Sequence, residues 1–97
     1  MNLTGKQRRH LRALGHDLDP VVQLGKLGLT EAVTAAIDAA LAQHELVKVR
    51  LGTECPDDRH DVAERFGPAL GAEVAQVLGR TILLYRRHPE EPKIKLP

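Results

Sequence analysis

Residues 21–33 read VVQLGKLGLTEAV. Pro20 opens a short, mostly apolar and β-branched run, Val21 to Leu24, which predicts a strand. Gly25-Lys26-Leu27-Gly28 follows as a loop. Thr30 is suited to cap a helix, and Val33, Ala36, Ile37, Ala40 and Leu41 repeat at the i, i+3, i+4, i+7, i+8 spacing of an amphipathic one. That helix should end near Gln43 or His44. The helix is amphipathic, so it should pack against sheet rather than stand alone.

Upstream, Thr4 with Gln7 three residues on has the form of a capping box. Leu11, Leu14 and Leu18 fall on one face of the helix it would open. Arg8, Arg12 and His16 fall on another, with Arg9 beside them, and Gly15 or the Asp19-Pro20 pair should end it. Downstream, ELVKVRLG alternates, so Val47, Val49 and Leu51 face one side and Lys48 and Arg50 the other, a strand with one buried and one wet face. Pro56 and Asp57-Asp58 start a third helix that carries Val62, Ala63 and Phe66 inward, and Gly67-Pro68 should break it, with residues 68–71 open to one more helical turn. AEVAQVLGRTILLYRR reads as a hairpin turning at Gly79-Arg80, a pair suited to a type II′ turn. HPEEPKIKLP at the end should be extended and partly ordered at best, with Ile94 and Leu96 able to pin it.

The order is therefore α-β-α-β-α-β-β. Strands joined through helices favour parallel pairing or longer crossovers, and the last two are antiparallel. The fold expected is an α/β two-layer sandwich, a four-stranded mixed sheet with three helices. Its 97 residues allow one domain, placed at 1–88, with a Pro-rich tail at 89–97.

Net charge is +1, which points to no partner, but its distribution is uneven. Residues 1–16 hold Lys6, Arg8, Arg9 and Arg12 without an acid, whereas Glu54, Asp57, Asp58, Asp61 and Glu64 crowd one short segment. Cys55 is the single cysteine, so no internal disulfide forms. No apolar run reaches membrane-spanning length, the basic start lacks the apolar core of a signal peptide, and a cytoplasmic location is expected. Phe66 and Tyr85 are the only aromatics, with Tyr85 expected half-buried, so recognition by stacking bases on aromatic rings is not expected.

Gly25-Lys26-Leu27-Gly28 has two readings. It is a turn that needs two permissive residues, or it is a phosphate-contacting loop at a helix N-terminus, where free N–H groups and Lys26 suit an anion and where a Gly-X-X-Gly clamps a nucleic-acid backbone in KH domains. Leu27 gives it an apolar tip, which either meets a sugar or base or only completes the turn. The basic helix face is likewise a solvated surface or a phosphate contact. CPDDRHD offers metal-ligand types, but one Cys and one His do not make a zinc set, and helix capping accounts for its acids. Serine is absent, Cys55 lies among acids that blunt it, and no P-loop pattern occurs. A binding protein without cofactor or metal is expected, not an enzyme; a small hydrolase using Cys55 or a histidine is the remote alternative.

LTGKQRRHLRALGHDLDPVVQLGKLGLTEAV resembles the start of the YhbY family, the bacterial stand-alone form of the CRM domain. The resemblance rests on Leu3 to Arg8, on Pro20 to Thr30, on HELVKVRL (44–51) and on VLGRTILLYRR (77–87), in the family's order from about residue 2 to 87. It implies a fold like the C-terminal domain of translation initiation factor three, and an RNA-binding protein that associates with ribosomal RNA of the large-subunit precursor. The RNA contacts it implies are Gly25, Lys26, Leu27, Gly28 and Thr30, with Lys6, Arg8, Arg9 and Arg12 on the first helix and Arg80 on the closing hairpin. A monomer with neither membrane nor small-molecule partner is expected. The competing reading is an adaptor docking on a ribosomal protein or assembly factor, with the acidic third helix facing a basic partner.

Overall fold

The run from Val21 into Val33 folds as a strand, a tight loop and a helix. A computed structural model describes residues 3–97; Met1 and Asn2, the start of the expected domain, lie outside the described residues. The elements are α1 (Gly5–Gly15), β1 (Val22–Leu24), α2 (Glu31–His44), β2 (Leu46–Leu51), α3 (Arg59–Leu70), β3 (Glu73–Leu78) and β4 (Thr81–Tyr85), in the expected order. The sheet is mixed, with strand order β1-β2-β4-β3. β1 and β2 are parallel across the α2 crossover, and the other pairs are antiparallel.

Alternation along the strands builds two cores. Val47, Val49, Leu51, Ile82 and Leu84 face α2 and α3 and pack with Ile37, Leu41, Val62 and Phe66. Leu46, Leu83 and Tyr85 face the other way and pack with Leu3, Leu11 and Ala75. The helices are thus divided: α2 lies on β1 and β2, α3 on β3 and β4, and α1 alone across the opposite face. The sheet and helix count are as expected, but both faces carry a helix rather than one. The wet face expected on β2 is accordingly only half wet. Leu46 is buried beneath α1, while Arg50 is exposed. An 11-residue helix, about 16 Å long at 1.5 Å per residue, cannot cover the whole sheet.

Thr4 and Gln7 form the capping box, with Thr4 N to Gln7 Oε1 at 3.0 Å and Gln7 N to Thr4 Oγ1 at 3.1 Å. Of the leucines expected inward only Leu11 is buried; Leu14 and Leu18 are exposed. The helix stops at Gly15, so the turn that would have aligned Leu18 never forms. Gly15 is itself buried against the sheet, where a Cβ would sit 2.7 Å from the Leu83 methyls. Gly67-Pro68 does not end α3, which runs to Leu70 and stops at left-handed Gly71. Glycine before proline has no Cβ to meet the pyrrolidine ring, and Leu70 is drawn into the core. At the hairpin, Gly79 has φ +58° and Arg80 does not share the left-handed region, as a type II′ turn requires.

The tail is better ordered than expected. Glu45, the residue after α2, has φ 64° and is 1% exposed. Its carboxylate accepts the N–H groups of His88 (2.9 Å), Lys93 (2.6 Å) and Ile94 (3.0 Å). Ile94 and Leu96 then pack on the α1-side core, and Gln7 Nε2 reaches the Pro97 carbonyl at 3.3 Å. Burial pushes the Glu45 carboxyl up, but the three N–H donors and the His88 charge outweigh it and hold it below the ordinary value.

Candidate nucleic-acid interface

The register places three loops at one end of the sheet. Leu24 pairs with Leu51, Arg50 with Thr81 and Leu78 with Thr81, so β1, β2 and β3 all finish where β4 begins. The glycine loop (25–28), the β2–α3 loop (52–58) and the Gly79-Arg80 turn therefore meet. Hydrogen bonds tie them: Gly52 N to Leu24 O at 2.8 Å, Leu51 N to Arg80 O at 2.7 Å, and Arg59 Nη1 to Gly79 O at 2.7 Å.

The glycine loop is a closed turn, with Gly28 N donating to Gly25 O at 3.0 Å. Gly28 has φ +69°, a left-handed angle that a side chain resists. Lys26 and Leu27 stand at the tip, and Leu27 is 84% exposed. Thr30 is the α2 cap, its Oγ1 accepting Val33 N–H at 3.1 Å. The Leu29 N–H is already taken, donating to Asp57 Oδ2 at 3.0 Å. An anion at this helix start is thus supplied by the protein, and the exposed tip is what faces outward.

Arg80 lies at the same end, but its guanidinium is partly engaged. Nε donates to Leu51 O at 2.9 Å and Nη2 to Gly52 O, which uses two of the five N–H donors of the group. Arg80 is otherwise exposed and holds the turn against the end of β2.

The α1 side of the sheet reads in rows. Leu46 and Tyr85 form the row farthest from the loops and Lys48, Leu83 and Gln76 the next. Gln23, Arg50, Thr81 and Leu78 form the row beside the loops. α1 covers the first row and Leu83 and leaves the last row open. Its second half meets that opening in a groove of about 440 Å³ lined by Arg12, His16, Lys48, Gln76, Leu78 and Thr81, with no carboxylate. Lys6, Arg8 and Arg9 are exposed on α1, with Lys6 about 9 Å along the axis from Arg12 at 1.5 Å per residue. None of Lys6, Arg8, Arg9, Arg12, Lys26, Lys48 or Arg50 pairs with a described carboxylate.

Lys48 and Arg50 are the basic residues that sequence reasoning left out of the site. Their alternation marked a wet strand face, but only the placement of α1 shows that the face is open beside the glycine loop. Two acids of CPDDRHD serve the fold: Asp58 caps α3 through His60 N at 3.0 Å, and Asp57 holds Leu29. Phe66 and Tyr85 are both fully buried, Tyr85 more so than expected. Burial, with the Glu45 charge, pushes the Tyr85 hydroxyl above its ordinary value against a smaller opposing effect of Arg87.

The family model of the CRS1 / YhbY (CRM) domain matches residues 3–86. The chain belongs to this family. A CRM-family relative, "Probable RNA-binding protein YqeI" of Bacillus subtilis (strain 168), is 40% identical over 95 residues, covering 98% of this chain and 99% of its own. The "RNA-binding protein" of Haemophilus influenzae is also 40% identical over 95 residues, with 98% and 95% covered. The CRM fold is matched by the solution structure of hypothetical protein SAV1595 from Staphylococcus aureus, with a TM-score of 0.83 and 42% identity, covering 99% of this chain and 100% of that one.

Proposed function

We propose that this protein binds RNA without transforming it. We infer that its target is ribosomal RNA of the large-subunit precursor, whose assembly it assists as a cytoplasmic monomer. The observation that carries the reading is the groove of Arg12, His16 and Lys48, whose lining holds no carboxylate, with Lys26 and Leu27 exposed at the tip of the glycine loop. The names of the CRM relatives point to RNA, and the family resemblance points to the large-subunit precursor.

The mechanism is electrostatic positioning. Lys26 and the tip of the Gly25–Gly28 loop meet one stretch of backbone. Arg12, Lys48 and Arg50 neutralise the next, and Arg8, Arg9 and Lys6 extend the footprint along α1. Arg80 and Thr30 contribute by shaping the loop end. Each neutralised phosphate releases counterions, so the logarithm of affinity should fall linearly with that of salt. With Phe66 and Tyr85 buried, discrimination comes from RNA shape and backbone rather than from stacked bases.

The test is a fluorescence titration of folded large-subunit rRNA fragments against unrelated structured RNA of equal length at several salt concentrations. Lys26→Ala and Lys48→Ala should each flatten the salt slope by about 0.7–0.9. A flat salt response, or equal affinity for both RNAs, refutes the reading. The adaptor reading finds support in the apolar groove lined by Leu14, Leu18, Val21, Leu46, Val47 and Ile94. It predicts that protein partners still co-sediment after nuclease treatment.

A further inference from the structure

We infer that Asp57 is a positioning residue for RNA binding: its carboxylate braces the Gly25–Gly28 loop from behind and holds Lys26 and Leu27 in the orientation that meets RNA. The inference rests on the RNA-binding reading above and explains why an acidic segment lies against an RNA-contacting loop.

Three observations converge on Asp57. Its Oδ2 accepts the Leu29 N–H at 3.0 Å, a bond between segments 28 residues apart in sequence. The same carboxylate fills the space beside Gly28, where any Cβ would overlap it. Glycine at 28 therefore suits the φ of +69°, and a side chain there would push the Asp57 carboxylate off the Leu29 N–H. Asp57 is also the partly sheltered member of its acidic pair, half-buried while Asp58 is exposed. Its charge is spent on the back of the loop.

The segment that carries Asp57 is itself fastened. Cys55 N donates to Gly52 O at 3.0 Å and Gly52 N to Leu24 O at 2.8 Å. Arg80 holds the Leu51 and Gly52 carbonyls, and Asp58 caps α3 immediately after. The glycine loop has one internal bond, Gly28 N to Gly25 O, and two glycines that lose much conformational freedom when ordered. The Asp57 bond joins this pliant loop to a rigid frame before RNA arrives, so less ordering is left to oppose binding.

The sign of the effect separates this role from simple electrostatics. Removing a negative charge near a phosphate site should tighten RNA binding; removing a brace should weaken it. Wild type, Asp57→Ala, Asp57→Asn, Glu54→Gln and Lys26→Ala are titrated with a large-subunit rRNA fragment at two salt concentrations. Hydrogen exchange at the Leu29 amide and thermal melting are followed without RNA. Asp57→Ala should bind about tenfold more weakly, the size of restoring freedom to one backbone residue, with the salt slope unchanged and Leu29 exchanging faster. Asp57→Asn, whose amide oxygen still accepts from Leu29, should stay within about threefold of wild type. Glu54→Gln, which removes a charge from the same segment without touching the loop, should bind as tightly or more tightly. Should Asp57→Ala not fold, Asp57→Ser, too short to span the bond, carries the same expectation. Asp57→Ala or Asp57→Ser binding as tightly as wild type overturns the brace while Lys26→Ala still tests the RNA reading. Lys26→Ala binding like wild type overturns the loop as an RNA contact, and the role of Asp57 with it.

Discussion

Replacing Glu45 should unfasten the tail and cost the protein a large part of its stability. The carboxylate accepts three backbone N–H groups: Oε2 serves His88, and Oε1 serves both Lys93 and Ile94. Hydrogen bonds to a charged group contribute about 1.5–3 kcal/mol each where neutral ones contribute about 1. In Glu45→Gln the side-chain oxygen can keep Lys93 and Ile94 without the charge. Its NH₂ must then face the His88 N–H, donor against donor. One charged bond is lost and two are weakened, for an expected cost of about 3 kcal/mol. A domain of this size shifts its Tm by about 4–8 °C per kcal/mol, so the melt should fall by roughly 12–24 °C. Glu45→Ala loses every bond and keeps the unfavourable φ of 64°. Glu45→Gly relieves that angle and should be about 1 kcal/mol more stable than Glu45→Ala. Urea unfolding gives the free energies, and amide exchange at His88, Lys93 and Ile94 reports the latch directly. A Glu45→Gln loss under about 0.5 kcal/mol, or unchanged exchange at those amides, would show that the tail is held by Ile94, Leu96 and the Gln7 contact rather than by the carboxylate.

Gly28→Ala must adopt a left-handed φ, at about 1–2 kcal/mol, and displace Asp57 from Leu29. Urea unfolding should show a loss of about 3 kcal/mol, with RNA affinity falling in step. Leu27→Ser should leave stability within about 0.5 kcal/mol, as a surface substitution does, while weakening RNA binding severalfold; unchanged affinity would assign Leu27 to the turn alone. Acid should release the tail. The Glu45 carboxyl is held below its ordinary value of 4.5 in the fold, so its stabilisation is present above that value and is lost as pH falls through the folded one. Tyr85 is raised above 10.0, so its contribution is present below pH 10 and lost as pH rises through the folded value. Thermal melts against pH should fall off on both sides.

Much of the fold was legible because side-chain periodicity reports which face is covered. Val47, Val49 and Leu51 alternate, Ile37 and Leu41 recur at helical spacing, and Thr4 with Gln7 announces a helix start whose hydrogen bonds are local. Periodicity reports that a face is apolar, not how far its cover extends. Periodicity alone therefore points Leu14 inward and Lys48 simply outward, and both depend on where the short α1 ends. Proline at 68 costs α3 one intrahelical hydrogen bond, but Gly67 offers no Cβ to its ring and Leu70 beyond it is drawn into the core.

The sequence by itself determined the element order, the position of the glycine loop and the basic run on the first helix, since each rests on residues within one helical turn or one strand of each other. Only the tertiary structure decided that Arg12, His16 and Lys48 line one groove and that Asp57 stands behind Gly28. It also decided that Glu45 holds the tail. The Asp57 and Glu45 hydrogen bonds join residues 28 to 49 positions apart. A long-range hydrogen bond leaves no periodic trace in either partner's neighbourhood and becomes visible only once the sheet has set which loops meet.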